Sequence, residues 1–305
     1  MYKKVIVTGG AGFIGSNLAR ELKAFGQEVH IIDSLVGGKR ENIPEGAIFH
    51  EMDICDEVSI KNLFEKVGDI HAVFHLAALP RVQYSIKEPI KTNHTNVSGT
   101  LNLLKASAEA KVHKFIYSAS SSAYGDQNVM PLHESLPANS KSPYGLQKHI
   151  GELYSKLWSE VYGLPTISLR YFNVYGPGLN PEGDYALVIG KFLKQRQEGK
   201  PLTITGDGTQ TRNFTHVSDV VRANILVMES ENVGRGEVIN IGSSIPVSIN
   251  ELAKIIGGPI EYIPPRLEPK HNMADNSLAK KLLSWEPTVI LEDGLLELKK
   301  IFNIS

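Results

Sequence analysis

Two rhythms of apolar and polar positions alternate along this chain. Short apolar runs rich in Val, Ile and Phe occur at Lys3–Thr8, Val29–Ile32, Ile48–Met52, Ala72–His75, Lys114–Tyr117 and Thr166–Leu169. They read as buried strands. Between them lie stretches of helical period, one from Asn17 to Leu22 and others at about 57–66, 92–110 and 143–162. Strands separated by helices predict a doubly wound parallel α/β sheet, because a helix is the usual connection that returns the chain to start a parallel neighbour. Beyond residue 173 the regularity falls and turn residues thicken at Gly176-Pro177-Gly178, Gly199-Lys200-Pro201 and Gly257-Gly258-Pro259. A strand at Leu202–Thr205 and a helix at about 217–229 follow. The pattern predicts a main domain of about 1–172 plus 217–241, to which the chain crosses back once. A smaller C-terminal α/β lobe takes about 173–216 plus 242–305.

The first strand runs directly into Gly9-Gly10-Ala11-Gly12-Phe13-Ile14-Gly15 and then into a helix. Gly10-x-Gly12-x-x-Gly15 in that context is a dinucleotide-binding (Rossmann) fingerprint: the glycines permit a tight turn, close approach of pyrophosphate to backbone, and packing of helix on sheet. The helix N-terminus then faces the phosphates. Asp33 ends the second strand about 20 residues on, where a carboxylate accepts hydrogen bonds from the adenosine ribose. It welcomes a free 2′-hydroxyl and repels a 2′-phosphate, which favours NAD over NADP, although Lys39 and Arg40 stand close by.

Tyr144 and Lys148 stand at i and i+4, and Ser142-Pro143 before them suits a helix start, so both side chains project from one face. A cation beside a phenol favours the phenolate, and such a pair takes a proton from a sugar hydroxyl. Ser120, at the end of the fifth strand, offers a hydroxyl to the same oxygen. Tyr-x-x-x-Lys arises often by composition alone, and gains weight here from the nucleotide-binding N-terminus.

Together these motifs resemble the extended short-chain dehydrogenase/reductases, specifically the nucleotide-sugar 4-epimerases, over nearly the whole chain. Further matching blocks are Met52-Asp53-Ile54, Phe74-His75-Leu76-Ala77-Ala78, Asn93-His94-Thr95-Asn96-Val97-Ser98-Gly99-Thr100, Leu169 to Gly176, and Gly206 to Asp219. The resemblance implies cofactor contacts from Gly9, Gly12, Phe13, Ile14, Gly15, Asp33, Asp53, Ile54, Leu76, Ala77, Ala78, Asn96, Tyr144 and Lys148. It implies catalysis by Ser120, Tyr144 and Lys148, and substrate contacts from Ser120, Tyr144, Asn173, Val188, Thr205, Arg212, Arg266, Glu268 and Asn272. Arg266 and Glu268 lie in a stretch one residue shorter than the family's, without its glycine.

Where dehydratases and decarboxylases of the superfamily carry an acid after the catalytic hydroxyl, Ser121 and Ser122 stand here, which favours epimerisation through a 4-keto sugar with tightly bound NAD. The resemblance implies that Asn272 occupies the position beside the sugar's C2 substituent, where its small size would admit an N-acetyl group. That predicts UDP-N-acetylglucosamine/UDP-N-acetylgalactosamine as substrates, with UDP-glucose/UDP-galactose also accommodated. A UDP-uronic acid would call for a basic group near the hexose carboxylate, and the Asn272 stretch offers no arginine for it. A protein that keeps the fold for binding alone would be expected to lose the Ser-Tyr-Lys set, which is complete here.

Composition narrows the partners. With 305 residues and 42% hydrophobic content the chain has material for one large core or two linked lobes, and a net charge of −1 without a basic cluster argues against nucleic acid. No apolar run reaches membrane-spanning length and no signal peptide is visible. The single cysteine, Cys55, and ten histidines lacking metal-ligand spacing fit a cytoplasmic enzyme without a metal, and the resemblance implies a homodimer.

Overall fold

A computed structural model describes residues 3–181, 187–265 and 271–304. Arg266 and Glu268 lie outside the described residues. Six strands, β1 (Lys4–Thr8), β2 (Glu28–Asp33), β3 (Ile48–Glu51), β4 (Ile70–His75), β5 (Lys114–Ser120) and β6 (Thr166–Tyr171), join a seventh, Arg235–Ile241, in one sheet. The order is seventh strand, β6, β5, β4, β1, β2, β3, all parallel. It reverses between β1 and β4, and ligands bind above such a switch point in open α/β sheets.

The apolar runs lack strict alternation because both faces of each strand are covered. In β1, Val5 and Val7 pack into one cluster with Leu18, Leu22, Ile31 and Phe74, while Ile6 packs into the opposite one with Ile32, Phe64, Val73 and Phe115. Helices Phe13–Ala24 and Val217–Glu229 close the first face; Glu57–Val67, Gly99–Glu109 and Pro143–Tyr162 close the second. Each fully buried aliphatic side chain contributes roughly 1.5–3 kcal/mol relative to exposure.

A third cluster, with Phe192, Leu193, Leu202, Ile204, Leu252, Ile256, Leu295 and Leu298, belongs to the smaller lobe. A later segment of the chain also packs on the sheet. Helix Ser277–Leu283 and Trp285 pack against helix Val217–Glu229 in the core of the sheet's first face. The Trp285 indole donates to the Asp219 carbonyl oxygen at 3.0 Å, and the Asp219 carboxylate accepts from the Thr288 and Val289 amides. The local pattern of this short helix did not say which core its apolar side would meet.

Candidate active site

A cleft of ≈ 1720 Å³ runs along the carboxyl ends of the central strands, lined by Gly9 after β1, Asp33 at the end of β2, Leu76 after β4, Ser120 at the end of β5 and Asn173 after β6. Its floor is the glycine turn. A Cβ added to Gly15 would stand 2.2 Å from the Gly9 carbonyl oxygen; one on Gly9, whose φ is +71°, would stand 2.7 Å from the Ala77 amide nitrogen. Gly12 precedes the helix without any side-chain cap, so the first amides are left to an anion. The Asp33 carboxylate is tethered to the turn, accepting from the Ala11 amide at 3.0 Å and the Leu35 amide at 2.8 Å, with lone pairs remaining for a ribose. Phe13, Ile14, Asp53, Ile54, Ala77 and Ala78 also line the cleft. These features fit a dinucleotide.

Asn96 departs from the expected contact. It is only 2% exposed and does not line the cleft. Its side-chain oxygen accepts from the Leu79 amide at 2.8 Å, and its Nδ2 donates to Leu79 O at 3.2 Å and Gln147 Oε1 at 2.8 Å. The amide so engaged holds the Leu79 stretch of the wall from behind.

Helix Pro143–Tyr162 forms where Ser142-Pro143 predicted it: Ser142 Oγ accepts from the Gly145 amide, proline takes the first turn, and Gly163 closes the helix in the left-handed region at φ 66°. Tyr144 and Ser120 both line the cleft. The expected pairing with Lys148 takes a different form. Lys148 is 3% exposed, donates to the Ser118 carbonyl at 2.6 Å, and lies over the Tyr117 ring at 4.9 Å. Burial drives its ammonium down to about 7, with Glu152 one turn further along resisting. Burial likewise pushes the Tyr144 phenol up to about 12, opposed by the Ser120 hydrogen bond and then by the charge of Arg81. Among the charges around the phenol, that of Arg81 favours the phenolate.

At the other end of the cleft, Arg212 and Asn173 line both the main cleft and a side cavity of ≈ 240 Å³ that Val188 and Thr205 also line. Asn173 sits at φ 36° and donates to the Asn213 carbonyl at 3.0 Å. Asn272 lines the main cleft, and its buried Oδ1 has no hydrogen-bond partner among the described residues.

Sequence reasoning missed Arg81, Ser122 and Glu152. Ser122 Oγ lies 2.6 Å from Ser120 Oγ. Glu152 continues the Tyr144, Lys148 ladder by another four residues, a signal that could have found it; it is 2% exposed and grips Arg170 through bonds of 2.8 and 2.6 Å. Arg81 carries no such signal. Among the described residues, no group of three or more His, Cys, Asp or Glu could hold a metal ion, and no helix is long and apolar enough to cross a membrane.

Residues 5–242 match the model of the NAD dependent epimerase/dehydratase family. The chain is 36% identical to a UDP-glucuronate 4-epimerase of Thermodesulfobacterium geofontis, over 95% of this chain and 93% of that protein. Among solved structures, a UDP-glucose 4-epimerase of Thermotoga maritima with UDP-glucose superposes with a TM-score of 0.94 at 39% identity, covering 98% of each chain. A UDP-N-acetylglucosamine 4-epimerase from Methanobrevibacter ruminantium, in complex with UDP-N-acetylmuramic acid, gives 0.93 at 37% identity, covering 99% of this chain and 98% of that one. The hexoses named differ from one relative to the next.

Proposed function

The chain belongs to the NAD-dependent epimerase/dehydratase family and is an isomerase of its UDP-sugar 4-epimerase branch; within that branch we propose that it inverts C4 of a UDP-hexose and accepts an acetamido group at C2. What supports the chemistry is that Ser120, Tyr144 and Lys148 all line the cleft, with Ser121 and Ser122 after Ser120 and no acid there to drive elimination. Tyr144 takes the proton of the C4 hydroxyl and later returns it. Ser120 shares that hydrogen bond, and Lys148, one turn along, steadies the developing phenolate.

Bound NAD supplies a hydride acceptor that also gives the hydride back. Gly9, Gly12 and Gly15 would take its pyrophosphate, Asp33 its adenosine ribose, and Asp53 and Ile54 its adenine. NAD is favoured over NADP, since Asp33 would repel a 2′-phosphate and Arg40 is engaged with Glu51 and stacked on Phe49 at 4.9 Å. Regeneration in every cycle favours its tight retention. The 4-keto sugar must turn over while the nucleotide stays held, so Arg212 and Asn173 would grip the diphosphate end. Asn272 supports the N-acetyl reading because it leaves more room than a bulky aromatic would.

Two further proposals follow from the surface and from cysteine use. Exposed Leu146, Leu153, Leu157 and Val161 on helix Pro143–Tyr162 suit a homodimer, and a lone free Cys55 suits the cytoplasm.

The chemistry is tested with Tyr144→Phe, measured on protein purified with its cofactor. Retained NAD with a fall in kcat of at least about 100-fold is expected, the scale of a lost general acid–base group. A variant with near-normal kcat would remove Tyr144 from the role.

A further inference from the structure

The hydroxyl of Ser120 has a second serine set against it. Ser120 ends β5 in extended backbone, with φ −149° and ψ 142°, and Ser121–Ala123 then form a single tight turn that brings the chain back over it. The Ser122 amide donates to Ser120 Oγ at 3.2 Å, and the two hydroxyl oxygens lie 2.6 Å apart. This turn is pinned from two directions. The Asn139 amide and the Ser140 hydroxyl donate to the Ala123 carbonyl at 3.1 and 3.2 Å. A Cβ added to Gly145 would stand 2.5 Å from the Ser122 carbonyl oxygen, so the start of helix Pro143–Tyr162 rests on Ser122 immediately after Tyr144. The Tyr144 amide in turn donates to Ser85 Oγ at 3.0 Å, which fixes that start from its other side.

A serine hydroxyl has one proton and two lone pairs. The Ser122 amide takes one lone pair of Ser120, so the direction of the bond between the two hydroxyls decides where the Ser120 proton goes. If Ser120 donates to Ser122, the proton is spent within the turn and none is left for a substrate oxygen. If Ser122 donates, both lone pairs of Ser120 are filled and its proton is directed away from Ser122. Ser120, Ser122 and Tyr144 all line the cleft, so a substrate oxygen there can receive it. A donor aimed in advance also needs no reorientation as charge develops on that oxygen.

We propose that Ser122 is a positioning residue: its hydroxyl donates to Ser120 Oγ and so aims the single Ser120 proton at the oxygen on C4 of the sugar. The assignment rests on the UDP-hexose 4-epimerase reading above.

The test uses protein purified with its cofactor, with UDP-glucose and UDP-N-acetylglucosamine as probes, following product by NMR and binding by calorimetry. In Ser122→Ala, kcat should fall roughly 5-fold, the scale of one net hydrogen bond, while Kd stays unmoved. Ser122→Thr, which keeps a hydroxyl, should recover most of that loss. In a Ser120→Ala background, Ser122→Ala should have no further effect, because the group it orients is gone. An undiminished kcat in Ser122→Ala, or a loss of equal size with and without the Ser120 hydroxyl, overturns the assignment and leaves the epimerase reading intact. Wild type that gives no C4-epimerised product from either probe overturns that reading and the assignment with it.

Discussion

At the scale of single residues, the cleft separates groups that act by charge from groups that act by shape. Asn272 is of the second kind. It lines the cleft, so Asn272→Tyr fills space there. Turnover of UDP-N-acetylglucosamine should fall about 10-fold or more relative to UDP-glucose in that variant, a modest steric discrimination. Rates that drop equally, followed by NMR of both substrates, would dismiss Asn272 as the wall beside the C2 substituent. Tyr144, Lys148 and Ser120 were legible in sequence because helical spacing and a strand end are local facts. Arg81 was not. Its relation to Tyr144 depends on Ser85 bonding across 59 positions of chain, and nothing in a linear pattern encodes that closure.

At the scale of elements, a buried chain of hydrogen bonds couples β1, β4 and the helix after β4. The Ala77 amide donates to Thr8 Oγ1 at 3.2 Å; Thr8 Oγ1 and Thr100 Oγ1 each lie 2.8 Å from a His75 ring nitrogen; Thr100 Oγ1 donates to the Asn96 carbonyl at 2.7 Å. Thr100 has spent its proton, so His75 Nε2 donates to it, and in the neutral ring Nδ1 accepts from Thr8. Burial, with the Lys148 charge adding to it, holds the His75 pKa well below 6.5. Below about pH 6.5 the unfolded chain takes up a proton that the folded chain refuses, so stability is full above that pH and is lost as pH falls, at up to about 1.4 kcal/mol per pH unit. His50, His71 and His216, also lowered chiefly by burial, act in the same direction. His75→Asn should be less stable throughout, yet lose less on going from pH 7 to pH 5, by roughly 1 kcal/mol per pH unit in urea titrations. Parallel pH profiles would contradict the assigned tautomer. In the sequence His75 is visible only as the end of an apolar run; its two threonine partners come from elements far apart in the chain and became visible only in three dimensions.

At the scale of the whole molecule, the catalytic helix faces two ways. Its inner side buries Lys148, Glu152 and Ser155, whereas Leu146, Leu153, Leu157 and Val161, spaced by seven, four and four residues, are between 43% and 63% exposed on its outer side. Ile90, on the segment leading into the helix after β4, is 85% exposed. The outer side of a helix packed on a sheet is ordinarily polar, and an apolar stripe there is costly to leave in water. A second copy of the chain would cover it by matching like stripes across a two-fold axis, since the same patch then serves both partners. Such an arrangement would press the helix carrying Tyr144 and Lys148 onto the sheet from outside, while the Ser142 cap and the Ser85 contact fix its start from within. Replacing Leu153 and Leu157 by Glu sets like charges against each other at the centre of that contact. In sedimentation at about 10 μM, a typical strength for a weakened interface being far above this, the native protein should run at twice 33.5 kDa and the double variant at 33.5 kDa. Native protein that sediments as a single copy would show that the stripe serves another end. Because the substituted side chains point away from the cleft, the variant should still retain NAD, which separates loss of pairing from loss of fold.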